Sequence, residues 1–181
     1  MNFKQQIAKY VTGNITTDQL PEIGSIGLDE GLDTPSLRIL AGLNKEENPF
    51  QIDHYFQLSL EELNIKLPDK REAAIEYALA ITDEILAGDK DVISGASEIL
   101  NNAIGSYDFH SESKQYSYDS IKLQGVFGLF DTYEELSSAD TPWQKQKTNE
   151  ELMEEIKVEL LEELRKWQDK FKDDAKRKIQ V

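Results

Sequence analysis

The chain has 181 residues, of which 39% are hydrophobic, and this size suits one domain with its own core. It contains no cysteine, so disulfides, thiol nucleophiles, cysteine-ligated zinc and iron–sulfur clusters are excluded. The formal net charge of −15 disfavours nucleic acid and anionic lipid as partners and favours a basic protein. The alternative interpretation is that the surplus of carboxylates only keeps the protein soluble.

The first half of the chain shows helix signals separated by stretches rich in glycine and proline. Apolar residues spaced three and four apart predict a short helix from Phe3 to about Gly13. Residues 14–34 contain one proline and three glycines and are expected to form a loop with one turn of helix around Asp18. Thr34-Pro35 and Asn48-Pro49 each predict a new helix, because a capping residue followed by proline is a common helix start.

The second half is predicted to be helical as well. Asp69 caps a helix that reaches Gly88 and is apolar over more than half its circumference, and two more helices are expected at 91–104 and 118–136. The clearest helix begins at Thr148, where Glu151 completes a capping box, and its acidic first half and basic second half both oppose the helix dipole.

No segment alternates with a period of two, so the fold class predicted is all-α. We expect one helical domain over residues 1–181, a bundle of about six or seven helices with a body at 1–147 and a long C-terminal helix at 148–179. No stretch has the pattern of a signal peptide or a membrane span, and a cytoplasmic location without membrane contact is therefore expected.

No motif predicts a catalytic residue, a cofactor or a metal. His54 and His110 are the two histidines, and neither lies in a zinc or di-iron pattern. The acidic residues at 29–33 lack the spacing of a calcium loop, and the glycines fit no phosphate-binding motif. An enzyme remains an alternative; it would need a cleft that brings a histidine beside distant carboxylates, or a Ser111 or Ser113 beside His110.

One short polar and aromatic stretch has the composition of a protein-binding surface. Tyrosines bury large areas at interfaces, and carboxylates between them accept hydrogen bonds from lysine or arginine. The candidate partner-binding residues are Tyr107, Asp108, Phe109, His110, Glu112, Tyr116, Tyr118 and Asp119. The alternative is that these aromatic side chains fold inward and fix the loop to the bundle. A second stretch of this kind lies at 131–143 and contains Tyr133, Asp140 and Trp143.

Several short motifs resemble an uncharacterised family of acidic, helical bacterial proteins that are associated with immunity in polymorphic toxin systems. The motifs are SLRILAGL at 36–43, NPF at 48–50 with YF at 55–56, SYDF at 106–109, GLFDTY at 128–133 and PWQ at 142–144. The resemblance covers most of the chain. It implies no catalytic residues, and none is carried over.

Two functions are expected from these observations. The first is an immunity-type inhibitor that covers a basic partner such as a toxin, with Asp108, Glu112 and Asp119 placed where substrate phosphates would bind. The second is a structural or regulatory helical module without a toxin partner, which self-associates as a homo-oligomer through Trp167 and Phe171.

Overall fold

The computed structural model describes residues 1–139 and 147–179, with side chains described as far as residue 171. These residues form eight α-helices and no β-strand, so the predicted all-α class is confirmed, with one helix more than the upper number expected. The helices are α1 (Phe3–Val11), α2 (Leu20–Asp29), α3 (Pro35–Gly42), α4 (Pro49–Glu62), α5 (Lys70–Ala87), α6 (Val92–Ser97), α7 (Gln124–Ser138) and α8 (Asn149–Ile179). None of the helices described is both long enough and apolar enough to cross a membrane.

The chain divides into two compact units, at residues 1–80 and 81–181, and α5 contains the boundary between them. The single domain expected from the sequence therefore stays a prediction. The first unit has a core of apolar side chains from α1 to α4 that are at most 3% exposed. They are Phe3, Ile7, Leu20, Ile23, Leu37, Leu40, Ile52, Phe56 and Leu60.

The loop predicted at residues 14–34 is wrong, because this segment contains α2. The helical turn expected around Asp18 is present as a 3-10 turn at Thr17–Gln19. Pro21 lies in its first turn, where the missing N–H has no helical partner to lose. Its glycines allow close packing: a Cβ at Gly24 would lie 3.0 Å from the backbone nitrogen of Ala41 in α3. Composition alone could not separate glycines that break a helix from glycines that let two helices approach.

In the second unit, α7 packs along α8, and α6 contacts both. The capping box predicted at the start of α8 is confirmed: the Thr148 hydroxyl accepts the N–H of Glu151 at 3.2 Å, and the Glu151 carboxylate accepts the N–H of Thr148 at 2.8 Å. The apolar stripe that follows is buried from Ile156 to Trp167. Local caps and a periodic stripe therefore predicted both the start and the inner face of α8.

Between α6 and α7 the chain is less regular than predicted. The helix expected at 91–104 is present, but its second half is a π-helical stretch at Glu98–Ala103 followed by a 3-10 turn at Ile104–Ser106. The helix expected at 118–136 begins only at Gln124. Tyr118 and Lys122 both have a left-handed backbone, with φ of 63° and 60°, and this interrupts any helix that contains them.

Candidate protein-binding surface

The candidate stretch lies in the connection between α6 and α7, and a buried hydrogen bond holds this connection to α8. The indole nitrogen of Trp167 donates to the carbonyl oxygen of Ile121 at 2.8 Å, and Trp167 is only 1% exposed. The Phe171 ring lies 5.1 Å from the indole, with the two ring planes tilted by 58°. Trp167 is therefore part of the core of the second unit, which corrects the hypothesis that Trp167 and Phe171 form a dimer seam. Self-association as such stays a prediction.

Part of the predicted aromatic set faces inward. Phe109 is fully buried and Tyr118 is 9% exposed, with its ring 5.2 Å from that of Phe127 in α7. Tyr107 is half-buried, and its hydroxyl donates to the Glu112 carboxylate at 3.0 Å. These side chains fix the loop to the unit, as the alternative interpretation of the sequence proposed.

Asp119 fixes the other end of the loop through backbone hydrogen bonds. Its carboxylate accepts the N–H groups of Lys114, Gln115 and Tyr116 at 3.0, 2.9 and 3.3 Å. The hydrogen bonds from the N–H groups of Gln115 and Lys114 contribute most to lowering the pKa of Asp119. Asp119 therefore holds the backbone of Tyr116 in place, and its oxygens are already engaged before any partner arrives.

We expect Asp119→Asn to destabilise the protein at neutral pH. Because the folded-state pKa of Asp119 is lowered, its stabilising effect is present above the unfolded-state pKa of about 3.9 and is lost as the pH falls through the folded-state pKa. Urea unfolding at pH 7 should therefore separate the variant from the wild type, and the difference should shrink at pH 3. Amide hydrogen exchange at residues 114–116 should become faster.

Asp131→Asn is the matched control, since Asp131 is an exposed carboxylate on α7 of the same unit. Equal stability of the Asp119 variant and the wild type at both pH values would contradict the role given to this carboxylate.

The remaining members of the predicted set face solvent. Tyr116 is 61% exposed, and both Asp108 and His110 are exposed. Tyr116 borders an apolar groove of about 440 Å³ that is also lined by Phe127 and Gly128 of α7. The surface thus combines an exposed aromatic ring, an adjoining apolar groove and a backbone that Asp119 holds in place.

The two serines beside His110 are used by the local backbone. The Ser111 hydroxyl donates to the carbonyl of Asp108 at 2.8 Å, and the Ser113 hydroxyl donates to that of Phe109 at 3.0 Å. Neither donates to the imidazole of His110. In the part of the chain that the structure describes, His, Asp and Glu form no group that could hold a metal ion.

The groove includes residues that sequence analysis did not assign to it. Gln124 and Phe127 fall within the helix predicted at 118–136, and Gly128 is the first residue of the GLFDTY motif, but none of the three was predicted to line a binding surface. The sequence signal for the groove was a glycine inside a predicted helix. In the structure, a Cβ at Gly128 would have no atom within 4 Å, so the missing side chain leaves open space at the groove. In the second candidate stretch, Tyr133 is half-buried on α7, whereas Asp140 and Trp143 lie outside the described residues.

Acidic residues outnumber basic ones in both units. Residues 81–181 contain 22 acidic and 13 basic side chains, and residues 1–80 contain 13 acidic and 7 basic ones. Four of the acidic residues of the second unit are exposed in the first turns of α8: Glu150, Glu151, Glu154 and Glu155.

The chain matches no family model, no curated protein and no solved structure.

Proposed function

We propose that this chain is a non-enzymatic acidic binding protein that inhibits a basic protein partner, such as a toxin, by covering its active cleft. The observation that carries the proposal is Tyr116, an aromatic side chain 61% exposed on a backbone that Asp119 fixes. An exposed tyrosine on a fixed backbone loses little conformational entropy when it is buried by a partner. Residues of this type dominate the binding energy of many protein interfaces.

The groove beside Tyr116 supports the same proposal. Its lining is mainly apolar, with Phe127 and Gly128 forming part of it, and its volume of about 440 Å³ exceeds that of any single side chain. An apolar side chain of the partner would enter the groove while Tyr116 packs against the partner beside it. Burial of both would exclude water from the centre of the interface.

The net charge supports a basic partner. The second unit, which carries the groove, has nine more acidic than basic residues. A field of this sign accelerates encounter with a cationic surface and repels the nucleic acid that a nuclease toxin would otherwise bind. The resemblance to immunity proteins noted in the sequence is consistent with this mechanism.

The proposal is tested with the proteins encoded by the genes that flank this one. Each basic flanking product is expressed alone and together with this chain in a bacterial host, and growth is measured. We expect one of them to be toxic alone, to be neutralised by this chain and to form a purified 1:1 complex. Association should slow as salt concentration rises, because electrostatic steering is screened.

The contribution of the surface is measured by calorimetry on the purified complex. Tyr116→Ala should raise Kd at least about thirtyfold, the effect of losing an interface hot spot of about 2 kcal/mol. Phe50→Ala is the control, since Phe50 is an aromatic residue that is 86% exposed in the other unit. Equal losses for both variants, or flanking products that neither bind nor harm the host, would refute the proposal.

Gly128→Ala separates binding from stability. Because a Cβ at this helical position meets no atom within 4 Å, the variant should gain up to about 1 kcal/mol in free energy of unfolding from helix propensity. The same methyl group narrows the groove, so affinity for the partner should fall. Thermal unfolding and calorimetry of one protein preparation measure both effects. A less stable variant, or one that binds as tightly as the wild type, would contradict this description of the groove.

A further inference from the structure

A second cavity lies in the first unit, far along the sequence from the Tyr116 surface. It has a volume of about 310 Å³ and is bordered by α1, the connection that follows α4, and α5. Ile7, Ile65 and Pro68 give it apolar walls, whereas Lys4, Lys66 and Glu76 bring charged groups to it. A volume of this size lies at the lower end of the range of small-molecule sites.

Glu76 is the unusual member of this lining. It is half-buried on α5, and among the residues described it has neither a hydrogen-bonding partner nor an ion-pair partner. Burial raises the pKa of its carboxyl group, and the attraction of Lys4 opposes this shift only in part. A carboxylate that is partly removed from water without a donor costs free energy that a ligand carrying a donor would recover.

The two lysines favour a ligand that also carries negatively charged groups. Lys4 and Lys66 are exposed, and neither forms an ion pair within the described part of the chain. The cavity therefore presents two ammonium groups and one carboxylate, whose charges sum to +1. A ligand that complements all three groups carries one ammonium and two carboxylates, and its hydrocarbon portion contacts the apolar walls.

We infer that this cavity binds a small acidic amino acid, whose ammonium group pairs with Glu76 and whose two carboxylates pair with Lys4 and Lys66. This inference does not depend on the partner-binding function, because every residue involved lies in the first unit and the ligand is a small molecule. Binding should be of the affinity usual for a small, open site, with a Kd of about 0.1–1 mM.

Three probes test the inference by titration calorimetry on the full chain. L-Glutamate carries both kinds of charge, glutarate keeps the two carboxylates without the ammonium, and n-butylamine keeps only the ammonium. We expect L-glutamate to bind at least about tenfold more tightly than either of the others. No binding of L-glutamate up to about 10 mM, or equal affinity for L-glutamate and glutarate, would overturn the inference.

Two substitutions test which side chain pairs with the ammonium group of the ligand and which pairs with its carboxylates. Glu76→Gln should remove the preference for L-glutamate over glutarate, and Lys66→Met should weaken both. Glu72→Gln is the matched control, because Glu72 is an exposed carboxylate one turn earlier on α5 and does not line the cavity. A preference that persists in Glu76→Gln, with circular dichroism showing a folded protein, would also overturn the inference.

Discussion

Trp167→Ala is expected to lower the free energy of unfolding by about 3–5 kcal/mol, the usual cost of truncating a buried tryptophan. Trp167 is 1% exposed, and its indole donates the hydrogen bond that ties α8 to the carbonyl of Ile121. The variant loses apolar burial, leaves a cavity and leaves a buried carbonyl without its donor. Urea unfolding followed by circular dichroism at 222 nm measures the loss.

One further variant and one control separate the contribution of the indole hydrogen bond from that of the buried ring. Trp167→Phe keeps an aromatic ring but removes the N–H, and should cost about 1–3 kcal/mol for the unsatisfied carbonyl together with the lost volume. Val158→Ala is the control, since Val158 lies on the same helix and is 59% exposed. Its effect should stay within about 0.5 kcal/mol. A Trp167→Ala variant that unfolds at the same urea concentration as this control would refute the structural role of Trp167.

Gly27→Ala is expected to destabilise the first unit by about 1–3 kcal/mol, even though alanine is the better helix former. A Cβ at Gly27 would lie 2.8 Å from the Phe3 ring and 3.3 Å from the Leu37 side chain. Phe3 and Leu37 are both fully buried, so neither can move aside without disturbing the core. The midpoint of urea unfolding measures the change.

Gly42→Ala is the matched control for this substitution. Gly42 is the last residue of α3 in the same unit, and a Cβ there would have no atom within 4 Å. The free energy of unfolding of the Gly42→Ala variant should be unchanged or raised by up to about 1 kcal/mol. If Gly27→Ala also gained stability, the packing of α2 between α1 and α3 would have to be revised.

The orientation of the candidate loop shows what the sequence could not decide. Sequence analysis selected eight residues as partner-binding and left open whether their aromatic side chains face inward. The structure places Phe109 and Tyr118 in the core and Tyr116 in solvent, although all three belong to one short aromatic segment. Composition cannot separate them, because the burial of Tyr118 depends on its contact with Phe127 of α7, and the position of Tyr116 depends on the hydrogen bond that its N–H donates to the Asp119 carboxylate.

The helices themselves were largely determined by local signals. Thr34 accepts the N–H of Leu37, Asn48 accepts that of Phe50, and Thr148 forms the predicted capping box. These interactions span only two or three residues, so the sequence by itself fixes where those helices start. The same holds for the all-α class, which follows from apolar spacings along each segment.

Tertiary structure decided the features that join residues distant in the chain. It turned Gly24 and Gly27 into packing positions of α2, and it placed Trp167 against Ile121, 46 residues away, instead of at a dimer seam. It also opened the groove beside Tyr116. An apolar stripe or a cap depends on residues within one turn or a few turns of the same helix. The atoms that contact a glycine or an indole belong to other elements, and the arrangement of those elements cannot be derived from any local sequence pattern.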